Sequence, residues 1–296
     1  MSWRAPDLRG RVAVVTGASR GVGRGIAIVL GGCGATVYVT GRTTRAGGAM
    51  PIPPAPGTVE DVAEAVTKAA GTTGGRGIAA PTDHTDDAQV AALFERVAAE
   101  QDGTLDLLVA NAWGGYERHG EDFTAPFWAQ PLWRWDAMFT AGLRAQFTAA
   151  RAAAPAMIPR GHGLIVATGG SDMPGHYLGN VPYDVVKAAT SRLVAALGHE
   201  LRPHGVAAIG VYPGFTRTEA VVAAFAAQGT EPPPETHSPE FVGRVVASLL
   251  DDSGVMSFSG TGAQAAVHAP RYGVTDVDGR AVAPFALPDE YRLSPS

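Results

Sequence analysis

Short apolar runs alternate with longer stretches of mixed polarity along this chain. Arg11-Val12-Ala13-Val14-Val15-Thr16 is β-branched and stops at Gly17, which predicts a buried strand. The same pattern predicts strands at Ala35–Thr40, Gly77–Ala80, Leu105–Ala110, Gly163–Ala167 and Val206–Val211, with a seventh at Gly262–Val267. Between them, helices are expected at Gly25–Leu30, Val59–Ala70, Tyr183–Leu201 and Phe241–Leu250. Asp87–Glu100 carries Val90, Leu93, Phe94 and Val97 at helical spacing. A longer helix is expected from Leu132 towards Ala154, ending near Pro155 and Pro159. The Pro- and Gly-rich stretch Thr43–Gly57 reads as a surface loop. Near-continuous apolar strands alternating with helices predict a parallel sheet covered on both faces. The expected fold is therefore α/β, a single-domain doubly wound parallel sheet of about seven strands spanning residues 1–296. Its core covers about 9–268, and a tail covers about 269–296. No internal repeat interrupts the pattern.

Composition narrows the class of partner. The formal net charge is −5 and 17% of the residues are charged, so no basic field favours nucleic acid. No apolar run approaches the ~20 residues needed to cross a bilayer, so no membrane partner is expected. Met1–Asp7 lacks the apolar core of a signal peptide, and Cys33 is the only cysteine. A disulfide within the chain is thus impossible, and a cytoplasmic setting is expected. Cys33 itself reads as a small buried thiol at a helix end. The eight histidines show no metal-ligand spacing, so no metal site is expected; His162, His199 and His204 read as capping or surface residues.

The first strand leads into Thr16-Gly17-Ala18-Ser19-Arg20-Gly21-Val22-Gly23, before the first helix. Glycines there allow a tight turn and bring a diphosphate to a helix N-terminus, where free N–H groups and the helix dipole favour anions. The spacing is Gly-x3-Gly-x-Gly, a variant of the Rossmann-type dinucleotide turn. At the end of the second strand stands Thr40-Gly41-Arg42-Thr43, with no carboxylate for a ribose 2′-hydroxyl. Arg42 and Arg20 instead offer positive charge for a 2′-phosphate, with Thr43 among the cofactor-binding residues, so NADP(H) is the expected cofactor.

Tyr183-Asp184-Val185-Val186-Lys187 places a phenol and an ammonium on one helical face. A free phenol titrates near ~10, and a neighbouring cation brings its proton affinity closer to the working range. Four signals now stand in order: Thr16–Gly23, Asn111-Ala112-Trp113-Gly114, Tyr183 with Lys187, and Pro213-Gly214-Phe215-Thr216-Arg217-Thr218. Together they resemble the short-chain dehydrogenase/reductase family.

That resemblance implies a nicotinamide-dependent oxidoreductase acting on a small carbonyl or alcohol, assembled as a homo-oligomer. It implies that Tyr183 exchanges a proton with the substrate oxygen, Lys187 holds the nicotinamide ribose, and Asp83 with His84 lies at the adenine. It further implies that Asn111 and Ala112 border the adenosine ribose, and that Pro213, Gly214, Thr216 and Thr218 border the nicotinamide. Gly17, Ser19, Arg20, Gly21, Val22 and Gly23 would form the diphosphate turn.

Two positions depart from the family pattern. Counting thirteen back from Tyr183 for the substrate-binding serine reaches Gly170. Ser171, one residue on, is the preferred candidate, with Thr168 as a stand-in. Gly142 stands where many members carry an asparagine in the long helix, and it could leave room for a water. The aromatic-rich segment Trp113–Trp135 follows the carboxyl end of the fourth strand, where open α/β sheets bind ligands, so some of its rings are candidates for the pocket wall. Glu235–Ser238 is a candidate lid. The alternative readings are a non-catalytic NADP(H)-binding regulatory protein and a lyase or isomerase that uses the same tyrosine.

Overall fold

The computed structural model describes residues 3–47, 57–116, 123–170, 175–287 and 289–293. Its strands are β1 (Val12–Val15), β2 (Thr36–Gly41), β3 (Arg76–Pro81), β4 (Leu107–Ala110), β5 (Gly163–Ala167), β6 (Val206–Tyr212) and β7 (Gly262–Gln264). All pair in parallel, in the order β3-β2-β1-β4-β5-β6-β7. The doubly wound sheet is as expected. The order reverses between β1 and β4, and such reversals open a crevice at the carboxyl ends of the strands.

Strand side chains alternate between two cores. Ala13, Val15, Val37, Val39, Leu107, Val109 and Ile209 face α1 (Gly21–Gly32), α2 (Val59–Ala70) and, through Phe241, Val245 and Leu249, the later helix Pro239–Asp251. Val14, Tyr38, Leu108, Ile165 and Ala208 face α3 (Asp87–Glu100), which contributes Val90, Leu93 and Phe94. Burial on both faces is why these strands read as continuous apolar runs.

On that second side the chain runs through α4 (Leu132–Met138), a π-helical segment (Phe139–Arg144) and α5 (Ala145–Met157). This is the long helix of the sequence pattern, and it ends as expected near Pro155 and Pro159. Pro155 is accommodated in the last turns of α5, and Ile158–Arg160 closes the helix as a tighter turn. α6 (Val181–Leu201) begins two residues before Tyr183 because Asn180 caps it, its side chain accepting from Tyr183 N at 3.1 Å, with Pro182 in the first turn.

Two further differences follow the sixth strand. α7 (Glu219–Ala226) was absent from the sequence reading; its sequence, EAVVAAFA, is almost uniformly small and apolar, so no face stands out. Ser238 caps α8 (Pro239–Asp251). β7 is only three residues long and turns at once into α9 (Ala265–His268). The tail packs back on the fold: Phe285 N donates to Gln264 Oε1 of β7 at 2.7 Å, and Tyr291 O accepts from Tyr177 N, in the loop before α6, at 2.8 Å. No helix among the described residues is long and apolar enough to cross a membrane.

Candidate active site

Thr16 and Asn111 join the strands that flank the crevice. Thr16 Oγ1 accepts from the backbone N–H groups of Asn111 and Ala112, both at 2.8 Å. Asn111 Nδ2 donates to Thr16 O at 2.9 Å and Gly17 O at 3.1 Å. Close approach explains the glycines: a Cβ on Gly23 would lie 2.5 Å from Asn111 Nδ2, and one on Gly17 would lie 2.8 Å from Ala112 Cα. Gly17 also has φ +63°, the left-handed region.

A groove of about 350 Å³ runs from this turn across the ends of β2 and β3. Gly17, Ser19, Arg20, Gly21, Val22, Arg42, Thr43, Asp83, His84, Asn111, Ala112 and Thr218 all line it, so one cavity unites most of the predicted cofactor residues. At its mouth Arg20 Nη2 donates to Thr43 Oγ1 at 2.8 Å. Burial pulls the Arg20 guanidinium down, Glu219 opposes that, and the positive charge of Arg42 adds to it. His84 is buried with Nε2 2.6 Å from Thr40 Oγ1, and its Nδ1 has no partner among the described residues. Burial holds this imidazole down at about 4. Asp83 Oδ1 accepts from Thr85 N at 2.9 Å and Thr85 Oγ1 at 2.7 Å, which shapes the loop after β3. A glycine cradle at a helix N-terminus and two guanidiniums lining one groove suit an anionic dinucleotide.

Pro213 and Gly214 form the turn after β6, where Gly214 has φ +79°. Thr216 Oγ1 is buried without a partner among the described residues. Thr218 caps α7, accepting from Val221 N at 3.3 Å, and its Cγ2 would lie 3.5 Å from a Cβ on Gly21. The expected lid around His237 is instead a brace. His237 is buried, its Nε2 lies 2.7 Å from Pro213 O, and its backbone pairs with Phe215 and Arg217.

Four rings close a box beside the groove. Trp113 meets Tyr116 at 5.9 Å and Tyr183 at 5.6 Å between centroids; Phe123 meets Tyr116 and Tyr183, both at 5.9 Å. Lys187 Nζ lies 3.7 Å from the Trp113 ring centroid and 5.0 Å from that of Tyr183. Burial raises the Tyr183 phenol, and a hydrogen bond with Tyr116 pulls it the other way. Burial also raises Tyr116 well above its ordinary value. The Lys187 ammonium is drawn down to about 7 by burial.

Gly170, reached by the count of thirteen, has φ +116°, and a Cβ there would lie 2.5 Å from the Tyr212 ring. A serine cannot occupy that position without moving Tyr212. Thr168 Oγ1 donates to Asn111 Oδ1 at 2.8 Å, so its proton is committed to the crevice scaffold. Ser171 lies outside the described residues. Sequence reasoning singled out neither Tyr116 as the neighbour of Tyr183 nor Glu219 as a groove residue; only proximity to the family motifs could have drawn attention to them.

The fold and this groove define a dinucleotide-binding α/β protein with a tyrosine–lysine pair at the crevice. The chain belongs to the short chain dehydrogenase family, whose profile matches residues 55–229. It is 38% identical to mouse dehydrogenase/reductase SDR family member 1 over 287 residues, 93% of this chain and 86% of that one. A short chain dehydrogenase from Mycobacterium thermoresistibile shares the fold with a TM-score of 0.76 at 24% identity, covering 96% of this chain and 99% of that one. A short chain dehydrogenase from Burkholderia cenocepacia, solved in complex with NADP, is 28% identical with a TM-score of 0.64, covering 87% of this chain and 97% of its own.

Proposed function

We propose that this protein is an NADP(H)-dependent oxidoreductase that transfers a hydride between the nicotinamide and a carbonyl or alcohol substrate. The observation that carries the reading is the half-buried Tyr183–Lys187 pair, with an ammonium 5.0 Å from the phenol ring, packed on Trp113, which lines the glycine-rich groove. The bound nicotinamide would supply or accept the hydride. In the reducing direction Tyr183 gives its proton to the substrate oxygen; burial raises its proton affinity, and the Lys187 ammonium beside it works against that rise. Lys187 stabilises the phenolate left behind and holds the ribose hydroxyls. Ser171 is assigned the second hydrogen bond to the substrate oxygen.

Cofactor choice rests on Arg42 and Thr43 after β2, where no carboxylate stands, and on Arg20 from the glycine turn. The NADP bound to the Burkholderia cenocepacia relative supports the same choice. Gly17, Ser19, Gly21, Val22 and Gly23 are assigned to the diphosphate, Asp83 and His84 to the adenine end, and Asn111 and Ala112 to its ribose. Pro213, Gly214, Thr216 and Thr218 are assigned to the nicotinamide end. The walls formed by Trp113 and Tyr116 suit an apolar or aromatic carbonyl better than a charged one. Homo-oligomeric assembly and a cytoplasmic setting belong to the same reading, supported by the exposed Phe147 on α5 and by the lone buried thiol of Cys33.

Steady NADPH oxidation with a panel of ketones and aldehydes tests the reading. Tyr183→Phe should keep NADPH binding and lose roughly 10²-fold or more of the turnover. Tight NADPH binding with no turnover of any panel member sinks the enzyme reading.

A further inference from the structure

Among the described residues the indole of Trp113 covers the Lys187 ammonium most closely, at 3.7 Å from its centroid. Its seat is made by Gly142 in the π-helical segment. A Cβ on Gly142 would lie 2.9 Å from Trp113 Cζ3 and 3.0 Å from Cε3, so any side chain there would push the indole away. Gly169 makes the matching allowance at the end of β5, where a Cβ would lie 3.2 Å from Lys187 Nζ. Two glycines from separate elements thus shape the space that the indole and the ammonium share.

The groups facing this ammonium are few. Tyr183 comes from its own helix, and Tyr116, from the segment after β4, stands behind it hydrogen-bonded to Tyr183. α5 brings Gln146, whose Nε2 would lie 3.7 Å from a Cβ on Gly169. The end of β5 brings Gly169, and the π-helical segment brings Gly142. Asp184 is turned elsewhere, its Oδ1 accepting from Leu178 N at 3.1 Å. Among the described residues no carboxylate lies against Lys187; burial draws its ammonium down, and the negative face of the Trp113 ring, 3.7 Å away, attracts it.

We propose that Trp113, seated on Gly142, is a positioning residue that keeps Lys187 in its charged form and aimed at Tyr183. This rests on the oxidoreductase reading above and deepens it. The ring attracts an ammonium and not a neutral amine, so it opposes the desolvation that would otherwise strip the proton. Removing the ring takes away that opposition to desolvation, and Lys187 loses its proton at a lower pH. A reduction that needs the ammonium then fails earlier as pH rises.

The test is the pH profile of NADPH-dependent reduction. Trp113→Leu should move the alkaline limb downward by about 0.5 to 1.5 pH units, and Trp113→Phe, which keeps a ring, by less. Gly142→Ala leaves the indole in the chain but displaces it, and should move the limb in the same direction. A purely packing role would lower the rate or the stability and leave the limb in place. A second readout needs no turnover. Trp113 emission, isolated as the difference between the parent and Trp113→Phe in cofactor-free protein, should titrate with Lys187 and stop titrating in Lys187→Met. Unmoved limbs in folded Trp113→Leu and Gly142→Ala, or an emission titration that persists in Lys187→Met, would overturn the proposal. If the parent shows no turnover, the oxidoreductase reading fails by itself, and the emission titration still decides the contact.

Discussion

Glu219 Oε2 accepts a hydrogen bond from Gly21 N at 2.9 Å, which places a carboxylate on the N-terminus of α1. The two residues are 198 positions apart, and the contact joins the first residue of α7 to the glycine turn. Free N–H groups at a helix N-terminus attract anions, and a carboxylate there competes with a diphosphate for the same field. Glu219→Gln keeps the size and removes the charge. NADPH affinity should rise roughly two- to fivefold by isothermal titration. Weaker binding would show that Glu219 helps the cofactor and does not compete with it.

Arg42 tests how the groove reads the dinucleotide. A charged hydrogen-bond partner of a phosphate contributes about 1.5–3 kcal/mol, so Arg42→Ala should weaken NADPH by roughly ten- to a hundredfold. NADH, which lacks the 2′-phosphate, should change little. Equal losses for the two dinucleotides would remove Arg42 from phosphate recognition. Arg20→Ala should lose affinity for both, since that residue also holds Thr43 Oγ1 at 2.8 Å.

Thr168 and Ser171 should separate cleanly. Thr168→Val removes the donor to Asn111 Oδ1 and should cost about 1–3 kcal/mol of stability in a urea titration, with a minor effect on the chemical step. Ser171→Ala should leave the unfolding midpoint alone and lower kcat roughly 10²-fold. The reverse pattern would make Thr168 the substrate-binding hydroxyl.

His84 makes a prediction about pH and stability. Its folded value of about 4 lies below the ordinary 6.5, so the unfolded chain takes up a proton first as pH falls. The stability tied to the neutral imidazole is complete above about 6.5 and is lost progressively down to about 4. Between pH 7 and pH 5 this amounts to about 2 kcal/mol. His84→Gln should flatten the urea-measured profile over that interval, relative to the parent. His162 and His268, also held down by burial, contribute in the same direction and remain in both proteins. An unchanged slope in His84→Gln would show that another group carries the acid sensitivity.

Local pattern determined much of this molecule. The apolar runs of β1, β4, β5 and β6 are legible because both faces of a parallel sheet are buried, and Asp87–Glu100 is legible because its apolar residues repeat at helical spacing. The glycine turn and the Tyr183–Lys187 pair each depend on local spacing, so both stood out in the sequence as candidates, and their order with the other two motifs pointed to the family. Only tertiary structure decided which residues complete the site. Trp113 reaches Lys187 across 74 positions and Thr168 reaches Asn111 across 57, while Glu219 crosses 198 to Gly21. His237 became a brace and not a lid for the same reason, since its partner is the carbonyl of Pro213, 24 residues earlier. Such contacts depend on strand order and loop approach, which bring distant residues together without leaving a period or a motif in the chain.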